Sequence, residues 1–373
     1  MSAKNEKQDE AKTNDITKEE FESYITKRIT QINKKLNEFL NEEQSEHYLK
    51  KVLERSGYTF DMDAIVKSVM EPANYLVNLG GKRVRPMLTL MVIEALGKEP
   101  NDYIEFSIIP EVIHEGTVIH DDVQDKSKFR RGDKALHEVY GADIALNVGD
   151  VFYFIAMPVL EASKKIDDAT KHRIEKVYHK HMLGLGIGQG TDLAWHNFMV
   201  DPFKITEDNY FRVAFDKTGG LTSFAAKLGA IIAQADDAVV QAFGDYAATL
   251  GVAFQIQDDV LNIRESKLAE NKGALGEDIT EGKITLLVVH ALHNSSKEKA
   301  TRLIEILKMH TKDQTLIKEV ISIFRDAGSI EHAEEMSESL IDQAWSKLDK
   351  HIPDTKAKHY LKMFTDKTLT RTV

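Results

Sequence analysis

The 373-residue chain contains no cysteine, which excludes disulfides, thiolate nucleophiles and zinc-thiolate sites. That absence fits an intracellular, cytoplasmic location. Proline is scarce, with 7 in the whole chain, so little interrupts a helix. Excess positive charge is missing as well. The formal net charge of −11 argues against nonspecific nucleic-acid binding and against a basic, membrane-seeking surface. The N-terminus lacks the apolar core of a signal peptide, and no unbroken run of about 18 apolar residues occurs. The sequence therefore predicts a soluble protein with no transmembrane segment. Alternating strand-like runs bounded by hairpin turns are missing too.

What remains is helical pattern. Residues 1–45 form a polar extension rich in Lys, Glu, Gln and Asn, and its opening is expected to be disordered. From Lys18 onward, Phe21, Ile25, Ile29, Ile32 and Leu36 recur at steps of three and four, the mark of an amphipathic helix. In the body, 46–373, helices are predicted over 87–96, 103–120, 143–161, 168–185, 206–217, 221–233, 238–257, 285–293, 297–309, 315–327 and 330–348. Gly97 is placed to cap the first of these. The segments 221–233 and 238–257 are apolar nearly all round, which suits the centre of a large bundle. Neither an internal repeat nor a linker divides the body. The prediction is an all-α, single-domain bundle of long helices. Bundle cores are where facing helices build metal and ligand sites.

Two aspartate clusters carry the chemistry: Asp121-Asp122-Val123-Gln124-Asp125 and Asp258-Asp259-Val260-Leu261-Asn262. Each sits at the end of an apolar, helix-like run. Residues four apart on a helix share a face, so Asp121 and Asp125 point the same way. Crowded carboxylates repel unless something positive lies between them. Oxygen-only ligands suit Mg²⁺, which is commonly completed by substrate phosphates. Taken singly, such a cluster is more often a solvated helix end; two of them with basic companions are not. Gly80-Gly81-Lys82-Arg83-Val84-Arg85-Pro86 packs cations and glycines just before a helix, an arrangement that favours an anion. Arg130-Arg131-Gly132, Lys217-Thr218-Gly219-Gly220 and Lys283 follow in order.

This order resembles the trans-isoprenyl diphosphate synthases, the polyprenyl synthetase family. The resemblance covers about residues 60–350. It includes His114, Gly149-Asp150, Gly188-Gln189, Asp192-Leu193, Phe254-Gln255 and Glu281-Gly282-Lys283 with Thr285. It implies an isoprenoid synthase fold with a deep central cavity, a homodimer, and a catalytic domain spanning 46–373. The implied activity is prenyl transfer: head-to-tail condensation of isopentenyl diphosphate with an allylic diphosphate. The allylic C–O bond ionises, the homoallylic double bond attacks the cation, and a proton is lost, with the departing diphosphate able to accept it. Three Mg²⁺ ions, or Mn²⁺ in their place, are implied at Asp121, Asp125 and Asp258, supported by Asp122 and Asp259. The resemblance assigns Arg130, Lys217, Gln255 and Lys283 to the allylic diphosphate. Lys82, Arg85, His114 and Arg131 fall to isopentenyl diphosphate. Lys217, Thr218 and Gln255 are the catalytic set.

Product length in such enzymes depends on bulk below the first aspartate motif, since a helix turn rises about 5.4 Å, close to one isoprene unit. Gly116 and Thr117 are small there, which leaves the first mark open, and Ile113 lies one turn deeper. Phe152, Phe154 and Met157 are candidate floors. A geranylgeranyl product is expected, with farnesyl or a longer chain as alternatives. Two departures stand out: Asn262 replaces a usual Asp, predicting weakened metal binding, and Lys272 is displaced from its usual spacing to Gly276. Glu115 has no counterpart in this reading. A terpene cyclase would lack the segment at 80–86, and a non-catalytic partner subunit would have lost aspartates or cations that this chain keeps.

Overall fold

The computed structural model describes residues 16–41, 49, 50, 52, 53, 58–155, 157–264 and 275–369. The expected disorder of the opening residues and the phosphate role considered for Lys272 lie outside these. Among the described residues the chain is all-α except for one two-residue antiparallel pair, β1 (Phe129–Arg130) with β2 (Asp133–Lys134). The principal helices are α1 (Lys18–Phe39), α2 (Val84–Ala95), α3 (Ile104–Gln124), α4 (Ala142–Phe154), α5 (Asp168–His196), α6 (Glu207–Ala214), α7 (Gly220–Ile232), α8 (Asp237–Asn262), α9 (Leu286–Asn294), α10 (Lys297–Lys308), α11 (Gln314–Asp326), α12 (Ser329–Leu348) and α13 (Lys356–Leu369). A π-helical turn, Phe215–Gly219, joins α6 to α7.

The helices group into two compact units. One comprises 1–173, 228–236 and 352–363; the other comprises 174–227, 237–351 and 364–373. Neither is continuous in sequence, which is why no linker marks a boundary.

In the first unit, the amphipathic helix foreseen from the N-terminal periodicity is α1. Thr17 caps it, its Oγ1 accepting from Glu20 N at 3.1 Å. Its apolar stripe, Phe21, Ile25, Ile32 and Leu36, is buried on α2 and α3. The helix thus packs on the body, and Tyr24 stacks on Tyr360 with ring centroids 4.2 Å apart. Each such apolar side chain removed from water contributes roughly 1.5–3 kcal/mol. The α3–α4 crossing is set by two glycines. A Cβ on Gly116 would lie 2.9 Å from Gly149 O, and one on Gly149 would lie 2.4 Å from the His120 ring. His120 fastens the same crossing, with Nδ1 2.9 Å from Gly116 O and Nε2 3.0 Å from Asp150 Oδ1. One stretch, Ala142–Ala162, is long and apolar enough to cross a membrane by length and composition alone, with mean hydropathy 1.5, which establishes no membrane span. It carries Asp143, Asp150 and Glu161.

In the second unit, α8 runs along α12, and Leu286, Leu303, Ile306, Ile317 and Phe324 centre the core. Here α5 runs on past its predicted stop at 185 to His196. Within the added length lies Gly188, where a side chain would meet Asp216 Cβ and Lys217 N at 2.8 Å, so the glycine is an approach point for the π-helical turn. Gly219 and Gly251 form a second close crossing, with 2.9 Å between Gly219 Cα and a Cβ built on Gly251. Helix α13 was not foreseen from the sequence.

Candidate active site

The predicted site residues fall into two groups, one in each unit. In the first unit, Gly80 (φ 85°) and the left-handed Arg83 (φ 51°) turn the chain into α2. The three cations of this segment then part. Lys82 is exposed. Arg83 is buried and held by four hydrogen bonds: Nη1 donates to Glu111 Oε1 at 2.8 Å and Glu115 Oε1 at 2.9 Å, Nη2 to Val77 O at 2.8 Å, and Nε to Asn33 Oδ1 at 2.9 Å. Its role is structural. Arg85 differs: its Nε is buried with no hydrogen-bond partner. A buried, unsatisfied guanidinium donor is costly unless an anion meets it. His114 sits among these arginines. Burial, then the charges of Arg85, Arg131, Arg130 and Arg83, hold its pKa well below the ordinary value, so the ring is neutral.

Arg131 and Gly132 form the two-residue turn of the β1–β2 hairpin, both with positive φ (55° and 88°), as a type I′ turn requires. The turn sends the Arg131 fork to Glu115. Nη1 donates to Oε1 at 3.0 Å, and Nη2 to Oε1 and Oε2 at 3.1 Å. Arg131 also binds Gly80 O, so it ties the glycine segment to α3. Glu115 is fully buried. Burial pushes its carboxyl up to about 7, the charge of Arg131 opposing and that of Glu111 adding.

Within the first aspartate cluster, Asp121 and Asp125 are half-buried, whereas Asp122 is 1% exposed. Asp122 accepts from Arg130, whose Nε lies 2.9 and 3.1 Å from its two oxygens. Asp122 therefore holds a cation, while Asp121 and Asp125, one turn apart, stay half-buried beside it. Oxygen donors of this kind fit Mg²⁺.

The chain-length positions need correction. Gly116 does not face open space: its missing side chain is where Gly149 O, Phe152 and Tyr153 of α4 press in. Its smallness serves helix packing, not a tail path. Phe154 is 67% exposed and provides no floor. Ile113 and Phe152 are buried in the core. Thr117 stays half-buried, with Oγ1 donating to His114 O at 2.7 Å.

In the second unit, the crossings at Gly188 and Gly251 seat the π-helical turn. Lys217 Nζ pairs with Asp192 Oδ2 at 2.7 Å, one turn beyond Gly188 on α5. Thr218 Oγ1 donates to Gln255 Oε1 at 3.2 Å. Gln255 Nε2 donates to Asp259 Oδ1 at 2.8 Å, and Tyr210 Oη donates to Asp259 Oδ2 at 3.2 Å. Asp259 is buried, and burial with the charges of Asp278 and Asp258 raises its pKa well above the usual carboxylate range. It orients Gln255, while Asp258 beside it is half-buried. Asn262 closes the helix end, its Oδ1 accepting from Asp278 N at 3.2 Å. Lys283 reaches Asp278 Oδ1 at 3.4 Å and also pairs with Glu281.

The family model described as polyprenyl synthetase matches residues 66–324. The chain belongs to that family. This polyprenyl synthetase is 31% identical over 309 residues to the short chain isoprenyl diphosphate synthase of Methanothermobacter thermautotrophicus, covering 83% of this chain and 92% of the relative. It is 31% identical over 279 residues to a geranylgeranyl pyrophosphate synthase of Penicillium crustosum, covering 73% and 75%. The crystal structure of the geranylgeranyl pyrophosphate synthetase of Pyrococcus horikoshii superposes with a TM-score of 0.81 at 28% identity, covering 95% of this chain and 99% of that one. The all-α architecture is that isoprenoid synthase fold, and the polyprenyl synthetase is a prenyltransferase. Members of the family use a divalent metal.

Sequence reasoning on this polyprenyl synthetase missed Glu111, Glu115 and Tyr210. Glu111 and Glu115 lie one helical turn apart on the face that carries His114, and two acidic residues on an apolar helix signal cationic partners. Tyr210 left no local signal.

Proposed function

We propose that this polyprenyl synthetase condenses isopentenyl diphosphate with allylic diphosphates to give geranylgeranyl diphosphate, working as a cytoplasmic homodimer with 46–373 as its catalytic domain. The carrying observation is the division of labour within the first aspartate cluster: Asp122 is buried on Arg130, whereas Asp121 and Asp125, one turn apart on the same helix, are half-buried. With Asp258, these two would hold three Mg²⁺ ions, which supply Lewis-acid charge to the leaving diphosphate.

The chain's own residues do the rest. Arg130, Lys217 and Lys283 supply fixed positive charge to the allylic diphosphate, the main requirement of C–O ionisation. Asp192, Asp122 and Asp278 hold these cations in position. Thr218 and Gln255 put neutral polar atoms at the reacting carbons, and Asp259 with Tyr210 fixes the Gln255 amide. Lys82, Arg85, Arg131 and neutral His114 bind isopentenyl diphosphate. The orphaned Arg85 Nε supports that role. Small Thr117 and the geranylgeranyl synthases among the relatives support the twenty-carbon product. Apolar side chains left exposed on α4 and α5, Leu146, Phe154, Leu183 and Ile187, support the dimer.

The test is a product assay with Mg²⁺, labelled isopentenyl diphosphate and each of dimethylallyl, geranyl and farnesyl diphosphates. A twenty-carbon alcohol after dephosphorylation is the expected result. A fifteen-carbon or much longer product would refute the length assignment, and loss of turnover in Asp121→Ala with the helical spectrum intact is required of the metal site.

A further inference from the structure

Away from the residues already assigned, Glu207, His290 and His332 bring three ligand atoms within 4.8 Å of one another. They come from α6, α9 and α12, all within the second unit. The imidazoles are stacked, with centroids 4.2 Å apart and planes 23° apart. His332 Nε2 lies 2.9 Å from Glu207 Oε1, yet this buried nitrogen makes no hydrogen bond. Two potential ligand atoms therefore approach closely without the alignment that a direct bond would give.

His290 is held from behind. Its Nδ1 lies 3.0 Å from Oγ of the fully buried Ser329, which leaves Nε2 for another partner. Metal-ligating histidines are commonly fixed in this way through the second ring nitrogen. All three side chains are half-buried, which shields an ion while leaving it a path in.

We propose that Glu207, His290 and His332 form a site for one borderline divalent transition metal of the Zn²⁺ class, separate from the Mg²⁺ carboxylates. Two imidazoles and one carboxylate are a recurrent set for such ions, with water completing the coordination. Ligands about 2.1 Å from a tetrahedral ion stand about 3.4 Å apart, so on binding the 2.9 Å pair would open slightly and the wider separations, which reach no more than 4.8 Å, would close. The hard-oxygen aspartate motifs prefer Mg²⁺, which keeps the two sites chemically distinct. The ion would cross-link three helices. It would also anchor α6, whose Tyr210, one turn after Glu207, holds the Asp259 carboxylate.

The test uses untagged, full-length protein stripped with a chelator and titrated with Co²⁺ in excess Mg²⁺. The expected result is one equivalent of Co²⁺ showing the strong visible absorption of four- or five-coordinate Co²⁺, displaced by Zn²⁺. His290→Ala and His332→Gln should abolish it, Glu207→Gln should weaken binding by about tenfold or more, and Asp121→Ala should leave it unchanged. Zn²⁺ should raise the melting temperature of the wild type and not that of His332→Gln. Absent bands in the wild type, or bands that survive His332→Gln, overturn the proposal. Should the histidine variants fail to fold, the wild-type titration and the surface-accessible Glu207→Gln decide it.

Discussion

Glu115 makes stability depend on pH in a way that one substitution isolates. The carboxyl is fully buried between Arg83 and Arg131, and its pKa stands near 7 where an ordinary glutamate has 4.5. Because the folded value is the higher one, the folded chain holds this proton more tightly than the unfolded chain. The associated stability is fully present below about pH 4.5 and is lost as pH rises through about 7. At about 1.4 kcal/mol for each tenfold change, the gap corresponds to about 3 kcal/mol between the two ends of that window. Glu115→Gln keeps the shape and an oxygen acceptor for the arginines but cannot titrate. Urea unfolding of both proteins, followed by circular dichroism from pH 5 to pH 8, measures the effect, and the difference between them cancels the titrating groups that do not interact with Glu115. Between pH 5 and pH 8 the wild type should lose about 2–3 kcal/mol relative to Glu115→Gln, most of it by pH 7.5. A difference independent of pH would refute the reasoning, since it would mean that the two arginines hold Glu115 ionised throughout.

Thr117→Phe should shorten the product by one isoprene unit, read by chromatography of the dephosphorylated alcohols. Gly116→Phe should instead cost about 1–3 kcal/mol or more of stability, because its side chain must enter Gly149 O and Phe152. Gly188→Ala should lower kcat by roughly ten- to a hundredfold, since its Cβ would displace the backbone that carries Lys217, whereas Gly190→Ala, with nothing within 4 Å, should leave kcat unchanged and serves as the control. Asn262→Asp should tighten Mg²⁺ activation several-fold while keeping the bond from Asp278 N; an unchanged Mg²⁺ dependence would make Asn262 a helix-end residue alone.

The elements and the order of the motifs were legible because both depend on neighbours close in the chain. Periodicity at steps of three and four marked α1 and the core helices, and a four-residue step put Asp121 and Asp125 on one face. What stayed hidden depends on which side chain a helix crossing turns toward which partner. Glu115 meets Arg131 only because a left-handed hairpin turn swings the arginine back. Glu207, His290 and His332 share no spacing at all. Gly116 is the sharpest case, since its small volume was read correctly and its direction was not.

One rule would have recovered part of this. Glycine inside a helix costs roughly 0.5–1 kcal/mol relative to alanine, so a chain that keeps several there is using them for something. Here Gly116 with Gly149, Gly188 with Lys217, and Gly219 with Gly251 each mark a place where backbones approach more closely than a Cβ allows. In each case a residue assigned to the chemistry lies nearby: Thr117 beside Gly116, Lys217 at Gly188, and Gln255 one turn after Gly251. The mid-helix glycines are thus the third signal in this sequence, after the aspartates and the cations. These three pairs set helix crossings close to the assigned side chains, while Gly229 against Thr89 O makes an equally tight crossing for packing alone, so a glycine inside an apolar helix is better read as a contact than as a gap.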